Sequence, residues 1–193
     1  MKKKISMRFI TTLLLFCVFS GFSQEKFERE FRISIEEVPL KAQNFIKQCK
    51  FDKKVKWYME ESQDGKAIEA KSYKNSYKYS IEFDIKGNVL DVEKKIKWKE
   101  IELSIRKNIE NSLKNEFEKF TIRKIQVQWK SDEQTLKGLI NGDKEYKINE
   151  LYEIILKGRK TQSTSLYEVL INPDGTIVKQ LKFAQSNSLN LEF

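Results

Sequence analysis

The chain has 193 residues with 37 Lys and Arg, 28 Asp and Glu and no histidine, giving a formal net charge of +9. Without histidine there is no Ser-His or Cys-His nucleophile pair, no usual general base and almost no route to a zinc site. Two cysteines and seven glycines, with no CxxC, GxGxxG or GxxxxGK[ST] string, also exclude dithiol redox chemistry and phosphate-cradling loops.

The opening residues read as a secretory signal. Lys2, Lys3, Lys4 and Arg8 make a cationic start, positions 9–22 an uncharged run, and Gly21 and Ser23 the small residues of a cleavage site before Gln24. A bilayer span needs about 20 apolar residues, which this run lacks. Lipidation at Cys17 is disfavoured because Phe16 precedes it where a small residue is needed. Removing 1–23 takes four cations and no acids, so the net charge falls from +9 to +5 over the remaining 170 residues. No second apolar run of membrane length follows. Only Cys49 then remains, which leaves no intramolecular disulfide; at the end of an apolar helix it reads as a small buried hydrophobe.

Residues 24–36 form a leader in which Phe27, Phe31 and Ile33 fit a strand or a frayed helix equally. Val38-Pro39 opens a helix to about residue 49, with Ala42, Phe45, Ile46 and Cys49 at helical spacing. Strands follow at 54–61, with Val55, Trp57 and Met59 on one face, and at 66–73. A hairpin then runs from Tyr79 to a glycine eight residues on, Gly87, and out again. Its alternation puts Tyr79, Ile81, Phe83 and Ile85 on one face and Ser80, Glu82 and Asp84 on the other. Residues 84–88 lack the ligand spacing and closing Glu of a calcium loop, so they read as a turn.

The order then repeats. Ile101, Ile105, Ile109, Leu113 and Phe117 recur every four residues on a longer helix. Strands follow at 120–129 and 148–157, then a second hairpin from Tyr167 to Gly175 through Asn172-Pro173-Asp174. Trp57 and Trp129 fall at matching places. The Trp-to-Tyr spacing is longer in the second half, which locates an insertion near 131–147. Within it Asn141-Gly142 predicts a two-residue hairpin and a small ribbon. The tail, 185–193, is polar and reads as flexible.

The expected fold is α+β: two tandem units, 37–98 and 99–184, each a helix plus a four-stranded antiparallel sheet with the helices packed on one sheet face. The units share one continuous sheet or pack end to end. An outer-membrane barrel is opposed by the two helices and by the absence of aromatic girdles.

The segments VPLKAQNFIKQC, KKVKWYMEE, DGKAIEAK, YKYSIEFDIKGNVLDVE and LYEVLINPDGTIVK carry a resemblance to the PepSY-like and beta-lactamase-inhibitor-like families of bacterial envelope proteins, over roughly 37–184. The resemblance implies a periplasmic or secreted protein that binds other proteins, some relatives being inhibitors or pro-segment chaperones of peptidases. The shared pattern is one of folding, so it carries over no catalytic, cofactor-binding or metal-binding residue.

The residues themselves point to an exported binding module that is not an enzyme and uses no cofactor and no metal. Glu60-Glu61 and Glu82/Asp84 alternate along strands and read as a solvated sheet face. The basic stretch 94–99 is flanked by Asp91, Glu93 and Glu100 and lacks the sustained basic face of a nucleic-acid binder. With Val55, Trp57, Met59, Ile68 and Ala70 turned to the helices, the opposite face shows Lys54, Lys56, Tyr58, Glu60, Glu69, Lys71 and Tyr73. Tyrosines among charges on a rigid sheet suit a protein interface, so the candidate protein-binding face is Lys56, Tyr58, Lys71 and Tyr73. A solvated face with two amphipathic tyrosines is the plain alternative, and strand addition at a sheet edge another route. The expected partner is another envelope or secreted protein, such as a peptidase. A small or peptide ligand or an envelope component is the second reading, and a carboxylate-only enzyme the third.

Overall fold

A computed structural model describes residues 25–184 apart from 144, 147 and 162; the expected signal peptide and the tail 185–193 lie outside the described residues. The leader is strand: β1 (Glu25–Lys26) and β2 (Glu28–Ile33). Then come α1 (Leu40–Gln48), β3 (Lys56–Ser62), β4 (Gly65–Lys74), β5 (Tyr77–Phe83) and β6 (Val89–Lys95). The second half is α2 (Leu103–Glu116), β7 (Lys119–Trp129), α3 (Glu133–Asn141), β8 (Leu151–Lys160), β9 (Ser163–Ile171) and β10 (Ile177–Phe183). No described helix is long and apolar enough to cross a membrane.

The expected pair of four-stranded units is not what forms. Among the described residues all ten strands belong to one mixed sheet in the order β1-β10-β9-β8-β7-β6-β5-β4-β3-β2, with three α-helices. The joint is β6 against β7, where Val92 is in register with Trp129 and Lys95 with Gln126. Two separate units would each leave a row of unpaired N–H and C=O groups there, and pairing the two rows satisfies both.

The sheet also curls. β1 and β2 are separated only by Phe27, yet they pair at opposite margins: Lys26 with Phe183 of β10, and Glu28 with Ser62 of β3. The segment 25–33 therefore ties the two margins together, and Lys179 of β10 meets Asp64 of the β3–β4 turn at 3.3 Å. Taken as one strand, that segment makes an odd number around the ring. An up-and-down ring of odd number needs one parallel junction, and β1 with β10 is that junction.

Alternation divides the curl into two faces. The outer one carries Trp57, Ile68, Ala70, Ile81, Phe83, Val92, Val127, Trp129, Ile154 and Val169, all buried in one cluster with Phe45 of α1, Ile109 and Leu113 of α2, and Leu136 and Ile140 of α3. Phe45 meets Phe83 edge-on at 5.5 Å between ring centroids. Cys49 lies in the same core, where burial pushes its thiol up to about 12.

The insertion is not a ribbon. Asp132 caps α3, accepting from the backbone N–H groups of Gln134 and Thr135 at 3.0 Å. Gly142 ends the helix in the left-handed region, its N–H returning to the carbonyls of Gly138 and Leu139. Asn-Gly serves a hairpin or a helix stop for the same reason, ease at positive φ. Here Leu136 and Ile140 at helical spacing decide for the helix by burying against the core.

Candidate binding site on the inner face of the sheet

The inner face is polar, and the strand registers stack its charges. Glu69 of β4 stands opposite Tyr58 of β3 and Glu82 of β5, Glu82 opposite Asp91 of β6, and Glu93 opposite Gln128 of β7. Gln126 is opposite Glu153 of β8. On an open sheet these groups would be in water. Inside the curl Asp91 is 5% exposed and Glu153 8%, and Glu60 and Glu82 are half-buried. That corrects the expectation of a solvated face for Glu60 and Glu82, since alternation alone does not distinguish a flat sheet from a rolled one.

One end of this interior holds a cavity of about 400 Å³ lined from nearly every strand, with nine carboxylates against three lysines, Lys26, Lys130 and Lys179. Crowded acids in a poorly hydrated space hold their protons. Burial and the charges of Glu28, Glu69 and Glu82 push Glu60 up to about 9. Burial and Glu82 push Asp91 up to about 7, against the pull of Lys130 at 3.6 Å. Glu93 and Glu153 share a hydrogen bond. Burial, Glu153 and Asp91 raise Glu93, whereas Lys124 at 3.5 Å and Lys26 outweigh burial and hold Glu153 below the usual range. Lys26 reaches into this end from β1 and pairs with Glu28 at 2.6 Å and with Glu168. Burial would lower Lys26, but Glu168, Glu28 and Glu153 together raise it. Glu28, Glu30 and Glu60 each bring an oxygen within 4.8 Å of the others. Two of those charges are already met, Glu28 by Lys26 and Glu30 by Lys71.

The other end is basic. The registers place Lys56 opposite Lys71, and Tyr73 opposite Lys78, on this same face, so the four candidate residues Lys56, Tyr58, Lys71 and Tyr73 do share it. Lys71 bonds Glu30 at 2.6 Å and Glu69 at 2.9 Å, and lies 4.9 Å from the Tyr58 ring centroid. Burial would lower its pKa, but Glu69 and Glu30 raise it. Lys56 and Tyr73 are exposed, Tyr73 by 46%, whereas Tyr58 is half-buried. The sequence reading missed Lys78, Lys95 and Lys124, which lie in the same alternation phase. They crowd together enough that Lys78 is lowered, by burial first and then by Lys71, Lys95 and Lys124. The inner face is thus polarised along the strands, acidic at the cavity and lysine-rich with two tyrosines at the far end.

No family model matches the sequence, and no curated protein matches it. Solved structures do share its architecture. A DUF2874 family protein from Bacteroides ovatus aligns with a TM-score of 0.53 at 13% identity, covering 80% of this chain and 98% of that one. A protein from Bacteroides eggerthii proposed to be periplasmic gives 0.51 at 14%, over 75% and 88%. A BLIP-like protein from Bacteroides fragilis gives 0.49 at 11%, over 75% and 86%. What the chain shares with the DUF2874 protein and the proposed periplasmic protein, at these identities, is a fold.

Proposed function

We propose that the protein is an exported, non-catalytic binding module, which docks another envelope or secreted protein on the basic end of its inner sheet face. The observation that carries this reading is the gathering of Lys56, Lys71, Lys78 and Lys95 with Tyr58 and Tyr73 on one sheet face, opposite the face on which the described helices pack. Such a patch suits an acidic surface with an aromatic-binding centre, because positive potential steers the encounter while the tyrosines supply buried area. Export is supported by the signal pattern of residues 1–23, and the proposed periplasmic location of the Bacteroides eggerthii protein agrees with it. An inhibitor or chaperone-like partner of an exported enzyme such as a peptidase is the role that the PepSY-like sequence motifs favour. The division into two units, 37–98 and 99–184, is kept as a proposal about ancestry by duplication.

The test is cross-linking and pull-down of residues 24–193 from the native envelope and secreted fractions, run beside the double variant Tyr58→Ala/Tyr73→Ala. A specific exported protein should be enriched by the wild type. The double variant, folded by circular dichroism, should bind it about 30-fold or more weakly, the loss expected when a binding centre is truncated. Equal recovery by the variant would move the interface elsewhere. A second reading, a small or peptide ligand, is favoured by the cavity at the opposite end.

A further inference from the structure

We infer that the overhang of β7 is a strand-addition site for an extended segment of the partner protein in which acidic and bulky apolar residues alternate. This deepens the docking reading and rests on it for the existence of a partner, but its residues, Lys95 apart, are different ones. β7 is longer than the strand beside it. On one side β8 flanks it from Lys119 to Gln128, whereas on the other β6 pairs with it only from Trp129 to Gln126. One more bond follows, from the Ile96 N–H to the Ile125 carbonyl at 3.0 Å, and the chain then turns off the sheet into the short helix Trp98–Glu100. Along residues 119–124 the backbone groups facing that side have no backbone partner among the described residues. Unpaired edge groups of this kind are a template for another strand.

The space beside this edge is open. A groove of about 570 Å³ lies there, with Ile96, Trp98, Phe120, Ile122 and Ile125 in its walls. A strand seated about 4.8 Å from β7 would turn alternate side chains to opposite faces of the sheet. One set falls in this groove, where bulky apolar groups are withdrawn from water. The other falls on the lysine-rich inner face, beside Lys95 and Lys124. The charges choose the sequence of the visitor. Glu110, the acid lining the groove, is already paired with Lys114 at 2.5 Å. Lys97 and Arg123 also line the groove and are exposed, and neither Lys95 nor Arg123 makes an ion pair among the described residues. Arg123 is the extra residue of the bulge between Ile122 and Lys124, a device that re-aims a side chain. These cations repel a second copy of the same edge, so the occupant is a partner segment of opposite sign.

The experiment takes the purified chain, residues 24–193, and a fluorescein-tagged eight-residue peptide alternating Glu with Leu, read by fluorescence anisotropy and amide hydrogen exchange. Saturable binding is expected, with exchange of the free N–H groups in 119–124 slowed about 10-fold or more at saturation. The peptide N-methylated on alternate residues should bind about 10-fold or more weakly in one of the two phases, because only one phase faces β7. A peptide with Lys in place of Glu should not bind. Lys97→Glu/Arg123→Glu, at exposed positions, should stay folded by circular dichroism and bind the acidic peptide about 10-fold or more weakly. Tyr58→Ala/Tyr73→Ala should bind the peptide as the wild type does. A failed pull-down with intact peptide binding then faults the docking face, and a successful pull-down without peptide binding faults the edge alone. Absence of binding, indifference to N-methylation, to Lys for Glu or to the charge reversal, or unslowed exchange at 119–124 would each overturn the site. So would displacement of the peptide by sodium dodecanoate below its micellar concentration, which would assign the groove to an anionic amphiphile.

Discussion

At Gly87 and Gly175 a turn and a helix contact fall on the same atom. Both glycines have positive φ, +84° and +92°. A Cβ on Gly87 would stand 2.9 Å from Cβ of Pro39 and 3.0 Å from the backbone nitrogen of Ala42 at the start of α1. On Gly175 it would stand 2.8 Å from Oγ of Ser112 and 2.9 Å from the carbonyl oxygen of Asn108 in α2. Ser112 also donates to the Gly175 carbonyl at 2.6 Å. Each half thus clamps its helix on its hairpin turn through a glycine. Gly87→Ala and Gly175→Ala should each cost about 2 kcal/mol or more, since backbone strain and steric conflict add. Gly142→Asn should cost less than about 1 kcal/mol, because nothing lies within 4 Å of its Cβ position and Asn tolerates the left-handed region. Urea unfolding measures all three, and equal losses would contradict the clamp. The turns were legible from the spacing of Tyr to Gly. The helix leaning on each turn was not, because a glycine kept for φ and one kept for room look alike in sequence.

At the scale of elements, most of what was legible came from local periodicity. Val55, Trp57 and Met59, or Ile109 and Leu113, declare their elements through alternation and four-residue spacing, and the structure buries Trp57, Ile109 and Leu113 accordingly. The insertion is a helix and not the expected ribbon because Asn141-Gly142 suits a hairpin and a helix stop equally, while the capped apolar repeat before it suits only a helix. Asp132 had already marked a start, its carboxylate also accepting from the Thr135 hydroxyl at 2.7 Å. α3 then docks beside α1, with Lys137 donating to the Gln48 side chain at 2.9 Å and Asn141 to the Gln48 carbonyl at 3.2 Å. Asp132→Ala should therefore destabilise the protein by about 1 kcal/mol, as loss of an N-cap does, with Asp132→Ser close to wild type. A denaturant series on the two variants checks this, and no difference between them would deny the cap its role.

At the scale of the whole molecule the shape comes from contacts between residues far apart in the chain. Closure depends on Lys26 meeting Phe183 and Glu28 meeting Ser62, pairings between distant residues that leave no periodic trace. The polar face consequently reads as solvated in the sequence, and the acidic cavity leaves no mark there, whereas alternation alone puts Lys56, Tyr58, Lys71 and Tyr73 on one face. Closure sets how stability depends on pH. Asp91 at about 7 and Glu60 at about 9, with Glu69, Glu82, Glu93 and Glu168 also raised, keep protons in the folded state that the unfolded chain gives up near 4. Wherever the folded state binds more protons, stability falls as pH rises. Glu153 acts oppositely, but its contribution is complete above its unfolded pKa. Lys26 and Lys71, being raised, contribute fully throughout that range. The melting temperature should fall steadily from pH 5 to pH 9. A flat or rising profile would mean that the carboxylates are hydrated or paired.

The strand that shuts the ring has a kinetic meaning as well. Segment 25–33 must wait for β10, the last of the described strands, before its opening residues have a partner, so ring closure is a late event of very long sequence separation. Until then the carboxylates of the inner face are free to stay hydrated, and the penalty for drying them is concentrated in that final docking. Reversal should begin at the same place. Detaching one short strand would flood the interior without breaking the outer core, so amide hydrogens of 25–33 should exchange long before those of β5 or β8, and faster as the solution becomes more alkaline than intrinsic exchange alone explains.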